Sequence, residues 1–136
     1  MIAGWRVLES KTFVIPSLPP SKNKLHTIIR RSNHPLIFKR SSDYEKWLQE
    51  SLPYISMLKP LVNSHYFGIK ARFHYPFHHL NGKHKRMDCH NFLEALCDAV
   101  STKNGFDDSY VKVTIAEAVD SQDEKIEVEL TQLEAA

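Results

Sequence analysis

The pattern that most narrows the fold is a change of hydrophobic period in the second half of the chain. Over residues 66–75, Phe67, Ile69, Ala71 and Phe73 alternate with their neighbours, and Pro76 closes the run. A period of two puts those four side chains on one face of a strand. Further on, Leu93, Leu96, Cys97 and Val100 recur at i, i+3, i+4 and i+7, which predicts a helix over about 91–101 with one apolar stripe. A one-faced strand and a one-striped helix must bury each other, so at least two layers are required.

The other segments fit that frame. Thr12-Phe13-Val14-Ile15 predicts a strand over 11–16, and Pro19-Pro20-Ser21-Lys22-Asn23 predicts an extended loop that cannot be helical. Short strands are expected at 26–29 and 36–39, around a turn at Ser32-Asn33-His34-Pro35. Ser42-Asp43-Tyr44-Glu45 has the spacing of a capping box and opens a helix whose stripe is Tyr44, Trp47, Leu48, Leu52 and Ile55. Tyr44 and Trp47 are read as core, and Pro53 should stop or kink this helix near Leu52. The polar, basic stretch 78–86 is read as a mobile loop. Strands at 110–119 and 125–131 are expected to form a hairpin around Asp120-Ser121-Gln122-Asp123. The sum is an α+β fold: a two-layer domain over 1–136, with a mixed β-sheet and two main helices packed on it.

Composition restricts the setting more than the function. A chain of 136 residues fits one domain, and 42% hydrophobic with 25% charged residues is ordinary for a globular protein. No apolar run approaches the ~18 residues that span a bilayer, and residues 1–5 lack the layout of an export signal. A cytoplasmic protein with Cys89 and Cys97 as free thiols is the expectation. The net charge of +2 conceals an asymmetry. Lys11, Lys22, Lys24, Arg30, Arg31, Lys39 and Arg40 occur before Ser42 with no acidic residue among them, whereas from Glu117 onward Lys125 is the single cation among seven acids. Such a basic segment suits a polyanion, phosphate above all, or else simply solvates loops.

The groups able to do chemistry flank the second helix. Asp88 and His90 precede it, Asp107 and Asp108 follow it, and Glu94 lies on it beside the apolar stripe, on the same side as Asp98. Carboxylates are the ligands that Mg²⁺ prefers, and a histidine suits a softer ion such as Mn²⁺ or holds a ligand in place. Such an ion activates water and neutralises charge on a phosphodiester. The two acidic clusters meet if the Asp88 segment ends a strand next to the one that Asp108 begins. Glu94 has an alternative role as a capping carboxylate for Asn91. His74, His78, His79, His84, His90 and Cys89 match no standard zinc spacing and are read as part of a solvated basic loop.

Two stretches in order resemble the RusA-like Holliday junction resolvase family. Phe13-Val14-Ile15-Pro16 followed by Pro19-Pro20-Ser21-Lys22-Asn23 resembles its opening strand and loop. The run from Asp88-Cys89-His90-Asn91 through Leu96-Cys97-Asp98-Ala99-Val100, then Gly105-Phe106-Asp107-Asp108-Ser109, resembles its central segment, where Asp-x-Asp-Asn leads into a helix and a short loop delivers Asp-Asp. The resemblance covers about residues 12–130. It implies a RusA-like fold and a homodimeric endonuclease, acting in DNA recombination and repair, that cuts four-way DNA junctions with paired nicks using Mg²⁺ or Mn²⁺. Asp88, His90 and Asp108 are then the catalytic candidates, with Asp88, His90, Asp108, Asp107 and Glu94 as metal ligands. Lys22, Lys24, Arg30, Arg31, Lys39, Arg40, Lys83, Lys85 and Arg86 are the DNA-binding candidates. Two departures stand out: His90 replaces the family's second aspartate, and Glu94 replaces a lysine. They leave open a protein that binds branched DNA with weak or no cleavage.

Overall fold

Residues 3–20, 26–29, 37–58 and 65–135 are described by the computed structural model, with the backbone alone for 26–29 and 37–39. The chain forms β1 (Trp5–Ile15), β2 (His26–Ile29), β3 (Ile37–Arg40), α1 (Ser42–Ser51), β4 (His65–Tyr75), α2 (His90–Asn104), β5 (Val111–Asp120) and β6 (Lys125–Ala135). Short 3₁₀ turns follow α1 at Leu52–Tyr54 and precede β5 at Asp108–Tyr110. Four strands make a mixed sheet in the order β1-β6-β4-β5, and β2 pairs with β3 apart from it. This is the α+β architecture that the sequence predicts.

The alternation at 67–73 sets the register. Phe73 stands opposite Ile126, Ala71 opposite Val128 and Ile69 opposite Leu130, so one face of the sheet is continuously apolar. Onto that face α1 brings Trp47 and Leu48, and α2 brings Phe92, Ala95, Leu96, Ala99 and Val100, in one buried cluster. Each large side chain enclosed there contributes about 1.5–3 kcal/mol. Tyr44 and Trp47 are buried, as expected.

Where elements begin and pair, the structure departs from the sequence reading in five places. Helix α1 is capped by Ser41, not Ser42: the Ser41 hydroxyl accepts from the Tyr44 N–H at 3.2 Å. That leaves Glu45 outside any capping box, 3.4 Å from Arg40. Strand β1 begins at Trp5, well before residue 11, because pairing with β6 rather than its own alternation recruits 5–10. Helix α2 starts at His90, which puts Asn91 inside its first turn and removes the capping role considered for Glu94. Its buried face is correspondingly turned, with Phe92, Ala95 and Ala99 fully enclosed and Leu93 and Cys97 half-buried.

The fourth departure is topological. Strands β5 and β6 do not form a hairpin: β4 lies between them, parallel to β5 and antiparallel to β6. Two strand spacings are about 10 Å, which the link 121–124 can cross as easily as it could close a hairpin. The Ser121 N–H bonds the Tyr75 carbonyl at 3.2 Å as it steps over the end of β4. Finally, 78–86 closes into a hydrogen-bonded turn rather than an open loop. His78 and His84 form a β-bridge, and the His79 N–H donates to Lys83 O at 2.7 Å.

Two features hold α2 along β4. Gly105 takes a left-handed conformation (φ 73°) at its C-terminus, where glycine carries no Cβ penalty. The chain then turns so that Phe106 stacks on Phe67 with ring centroids 3.8 Å apart. Asn104 ties the same end to the segment after α1, accepting from the Leu58 N–H at 2.9 Å and donating to Ser56 O at 3.2 Å. Among the described residues, no helix is long and apolar enough to cross a membrane.

Two outcomes follow from this packing. A Cβ on Gly68 would lie 2.6 Å from Thr131 Oγ1, a short buried side chain that bonds the Gly68 carbonyl. Gly68→Ala should therefore cost about 1–3 kcal/mol in urea unfolding, with part recovered in the Gly68→Ala, Thr131→Ala double variant. Burial, reinforced by Asp108, Asp98 and Glu94, pushes the Cys97 thiol up to about 12. Near pH 8 the native chain should alkylate at Cys97 at least ~100-fold more slowly than a free cysteine, as thiol mass mapping would show.

Candidate functional site

Strand β4, after Tyr75, leaves the sheet through the turn at 78–86 and returns to the start of α2. The Tyr75 hydroxyl donates to Met87 O at 3.4 Å, so the residues that follow Met87 lie beside the C-terminal end of β4. There Asp88, Cys89 and His90 converge, their ligand atoms all within 4.8 Å of one another. The Asp88 carboxylate accepts from the His90 backbone N–H at 3.0 Å, which folds the side chain back over the helix start. Asp88 and His90 are exposed and Cys89 is half-buried. Burial raises the Cys89 thiol, and the Asp88 carboxylate adds to the rise while the helix-end N–H groups oppose it. Tyr75 is raised by burial and by the same two neighbours.

Asp107 and Asp108 sit elsewhere. They follow α2, whose 15 residues span about 22 Å, and they lead into β5 beside Phe67 at the other end of β4. The Asp107 carboxylate caps the turn, accepting from the Ser109 N–H at 2.8 Å, and this bond holds it below the usual carboxylate range. Asp108 lies near enough to the middle of α2 to act electrostatically on Cys97, as do Glu94 and Asp98. Glu94 is exposed, one turn beyond His90. The acidic candidates thus form a line along α2, with Asp88 and His90 gathered at one end and Asp107 and Asp108 toward the other. The strand before the Asp88 segment, β4, and the strand that follows Asp108, β5, are neighbours, but β4 ends at Tyr75 and the two run parallel. The end of the one and the start of the other therefore fall at opposite ends of the strand pair.

Among the basic candidates, Lys22, Lys24, Arg30 and Arg31 lie outside the described residues, and Lys39 is described by its backbone in β3 alone. Lys83 and Arg86 are exposed on the approach to Asp88, and Lys85 is half-buried, its N–H donating to Phe77 O at 2.7 Å. Arg40 is differently placed. Its guanidinium lies 3.1 Å from Asp98, 3.4 Å from Glu45 and 5.6 Å from the Tyr44 ring centre. Tyr44 also donates its hydroxyl to Asp98, and burial together with that carboxylate raises the phenol far above its ordinary value. Two carboxylates therefore balance the Arg40 charge within the fold.

Sequence reasoning weighed Cys89 only within a zinc pattern that it set aside, and it passed over Asp98 as a structural anchor. Asp98 was findable as the residue four beyond Glu94 on the same helix face. The convergence of Cys89 with Asp88 and His90 was not, because paired-ligand spacings say nothing about three consecutive side chains fanning around a helix start. A surface groove lined by Thr12, Val14, Lys70, Arg72, Glu127 and Glu129 is on the opposite face of the sheet from the helices. It holds the Arg72–Glu117 pair nearby and none of the candidate chemistry.

The three groups at the start of α2 are one carboxylate, one imidazole and one thiol, a donor set of mixed hardness. No curated protein matches the chain significantly. Residues 18–131, by contrast, match the family described as endodeoxyribonuclease RusA. That span takes in β2 to β5, both helices and the whole acidic line, so the chain belongs to the RusA endodeoxyribonuclease family.

Proposed function

We propose that the chain is a structure-selective endonuclease that resolves four-way DNA junctions by paired phosphodiester hydrolysis, as a homodimer and with a divalent ion. The family match over 18–131 carries this reading. Asp88 and His90 would hold the ion at the start of α2, with Glu94 one turn away as a further ligand. The ion, Mg²⁺ or Mn²⁺, supplies an activated water and neutralises charge on the phosphate.

The chain's own residues do the rest. Lys83 and Arg86, on the turn that feeds into Asp88, contact phosphates and position the strand beside the cluster. The basic segment with Lys22, Lys24, Arg30 and Arg31, and Lys39 after it, extends the footprint. Arg40 contributes least, since Asp98 and Glu45 already answer its charge. Asp108, with Asp107, acts from the far part of α2 and supports cleavage without sharing the Asp88 ligand set. Dimerisation follows from symmetry: a four-way junction presents two equivalent strands, and a two-fold dimer cuts both.

A labelled four-way junction tests the reading. In Mg²⁺ or Mn²⁺ the native chain should give paired nicks, and should prefer the junction over plain duplex at ~150 mM salt, where nonspecific contacts fade. Asp88→Asn and His90→Ala should each lower nicking roughly 100-fold and weaken ion binding in parallel. Asp108→Asn should lower nicking with ion affinity unchanged. Tight junction binding without nicks in either ion would instead identify a branched-DNA-binding protein of this fold.

A further inference from the structure

The position between Asp88 and His90 is the one element of the cluster that the proposed reading leaves idle. Cys89 is half-buried at the start of α2, and its sulfur lies within 4.8 Å of both an Asp88 oxygen and a His90 nitrogen. Three different donors, oxygen, nitrogen and sulfur, are thus already gathered within the reach of one ion. We propose that Cys89 is a metal ligand, and that the cluster selects a borderline or soft divalent ion of the Zn²⁺ and Co²⁺ class over Mg²⁺.

Ligand chemistry argues for this choice. Mg²⁺ is small and hard, takes oxygen almost exclusively and gives up water reluctantly. Among the three converging groups Asp88 alone offers it oxygen, and Asp107 and Asp108 belong to the other part of the acidic line. Zn²⁺ and Co²⁺ bind thiolate, imidazole and carboxylate together, and three protein ligands with one open position is the layout of catalytic zinc sites. The amide N–H groups at the start of α2 favour an anionic thiolate and carboxylate there, although the same positive helix end works against the cation itself. Binding takes the thiolate: the S–H bond breaks, the proton leaves to solvent, and the sulfur lone pair is donated to the ion.

The inference rests on the proposed reading only in taking the Asp88 cluster as an ion site. Its test is spectroscopic and independent of cleavage. The full chain, stripped of metal, is titrated with Co²⁺ alone while near-ultraviolet and visible absorption are recorded. A sulfur-to-cobalt charge-transfer band saturating at one ion per chain is expected. It should vanish in Cys89→Ser, persist in Cys97→Ser, be displaced by Zn²⁺ and survive a large excess of Mg²⁺. Cys89→Ser should also weaken Co²⁺ binding by about tenfold or more. Circular dichroism of Cys89→Ser checks that the helices remain. Absence of the band in the native chain, or its persistence in folded Cys89→Ser, overturns the proposal. Junction nicking in Mg²⁺ without the band would leave the nuclease reading intact and this one refuted, and the band without nicking would do the reverse.

Discussion

Parallel pairing of β4 with β5 governs the remainder of the molecule. Two adjacent parallel strands cannot be joined by a tight turn, because the chain must travel back along the full length of the first before starting the second. Helix α2 makes that return; its buried Phe92 packs on Phe73 at one end, and the half-buried Phe106 just past the other end stacks on Phe67. The helix therefore lies along β4, with the segment that leads into it at the C-terminal end of that strand and the segment that leaves it at the N-terminal end. Asp88 and Asp108 inherit their separation from that geometry.

The same crossover explains how electrostatics is arranged on the helix layer. The flank of α2 beside the core carries Glu94 and Asp98, with Asp108 in electrostatic reach of the Cys97 thiol between them. Asp98 is neutralised by Arg40 and bonded by Tyr44, so it joins α1, α2 and the end of β3 rather than facing an ion. Exposed ion pairs contribute little, but here the carboxylate is half-buried and shared with a buried phenol, and the Arg40 guanidinium lies over the Tyr44 ring. Glu94 and the Asp88 cluster have no comparable cation in the described contacts. A difference in local neutralisation, rather than in residue type, separates the structural acid from the others along α2.

Much of the architecture was legible in the order of residues. The period-two run at 67–73 reproduces the buried face of β4, Pro53 marks the end of α1, and Tyr44 and Trp47 are core. What misled was local ambiguity. Ser41 and Ser42 are equally good caps by type, and only the backbone conformation at Ser41 decides between them. The polar stretch at 78–86 has the composition of a loop and the hydrogen bonds of a tight turn. A four-residue link with turn-forming residues reads as a hairpin whether its strands are neighbours or flank a third.

From its order alone, the chain determined which segments are strands and helices, which faces they bury, and that acids and a histidine border a helix in the manner of an endonuclease family. Periodicity and motif spacing are local properties, and they survive without knowledge of partners. Tertiary structure decided that β4 intervenes between β5 and β6, that the Asp88 segment lies by the C-terminal end of β4 while Asp108 leads into β5 by its other end, and that Arg40 meets Asp98. These depend on strand order and on where a helix axis lies, which are set by contacts between residues far apart in the chain and leave no periodic trace in it.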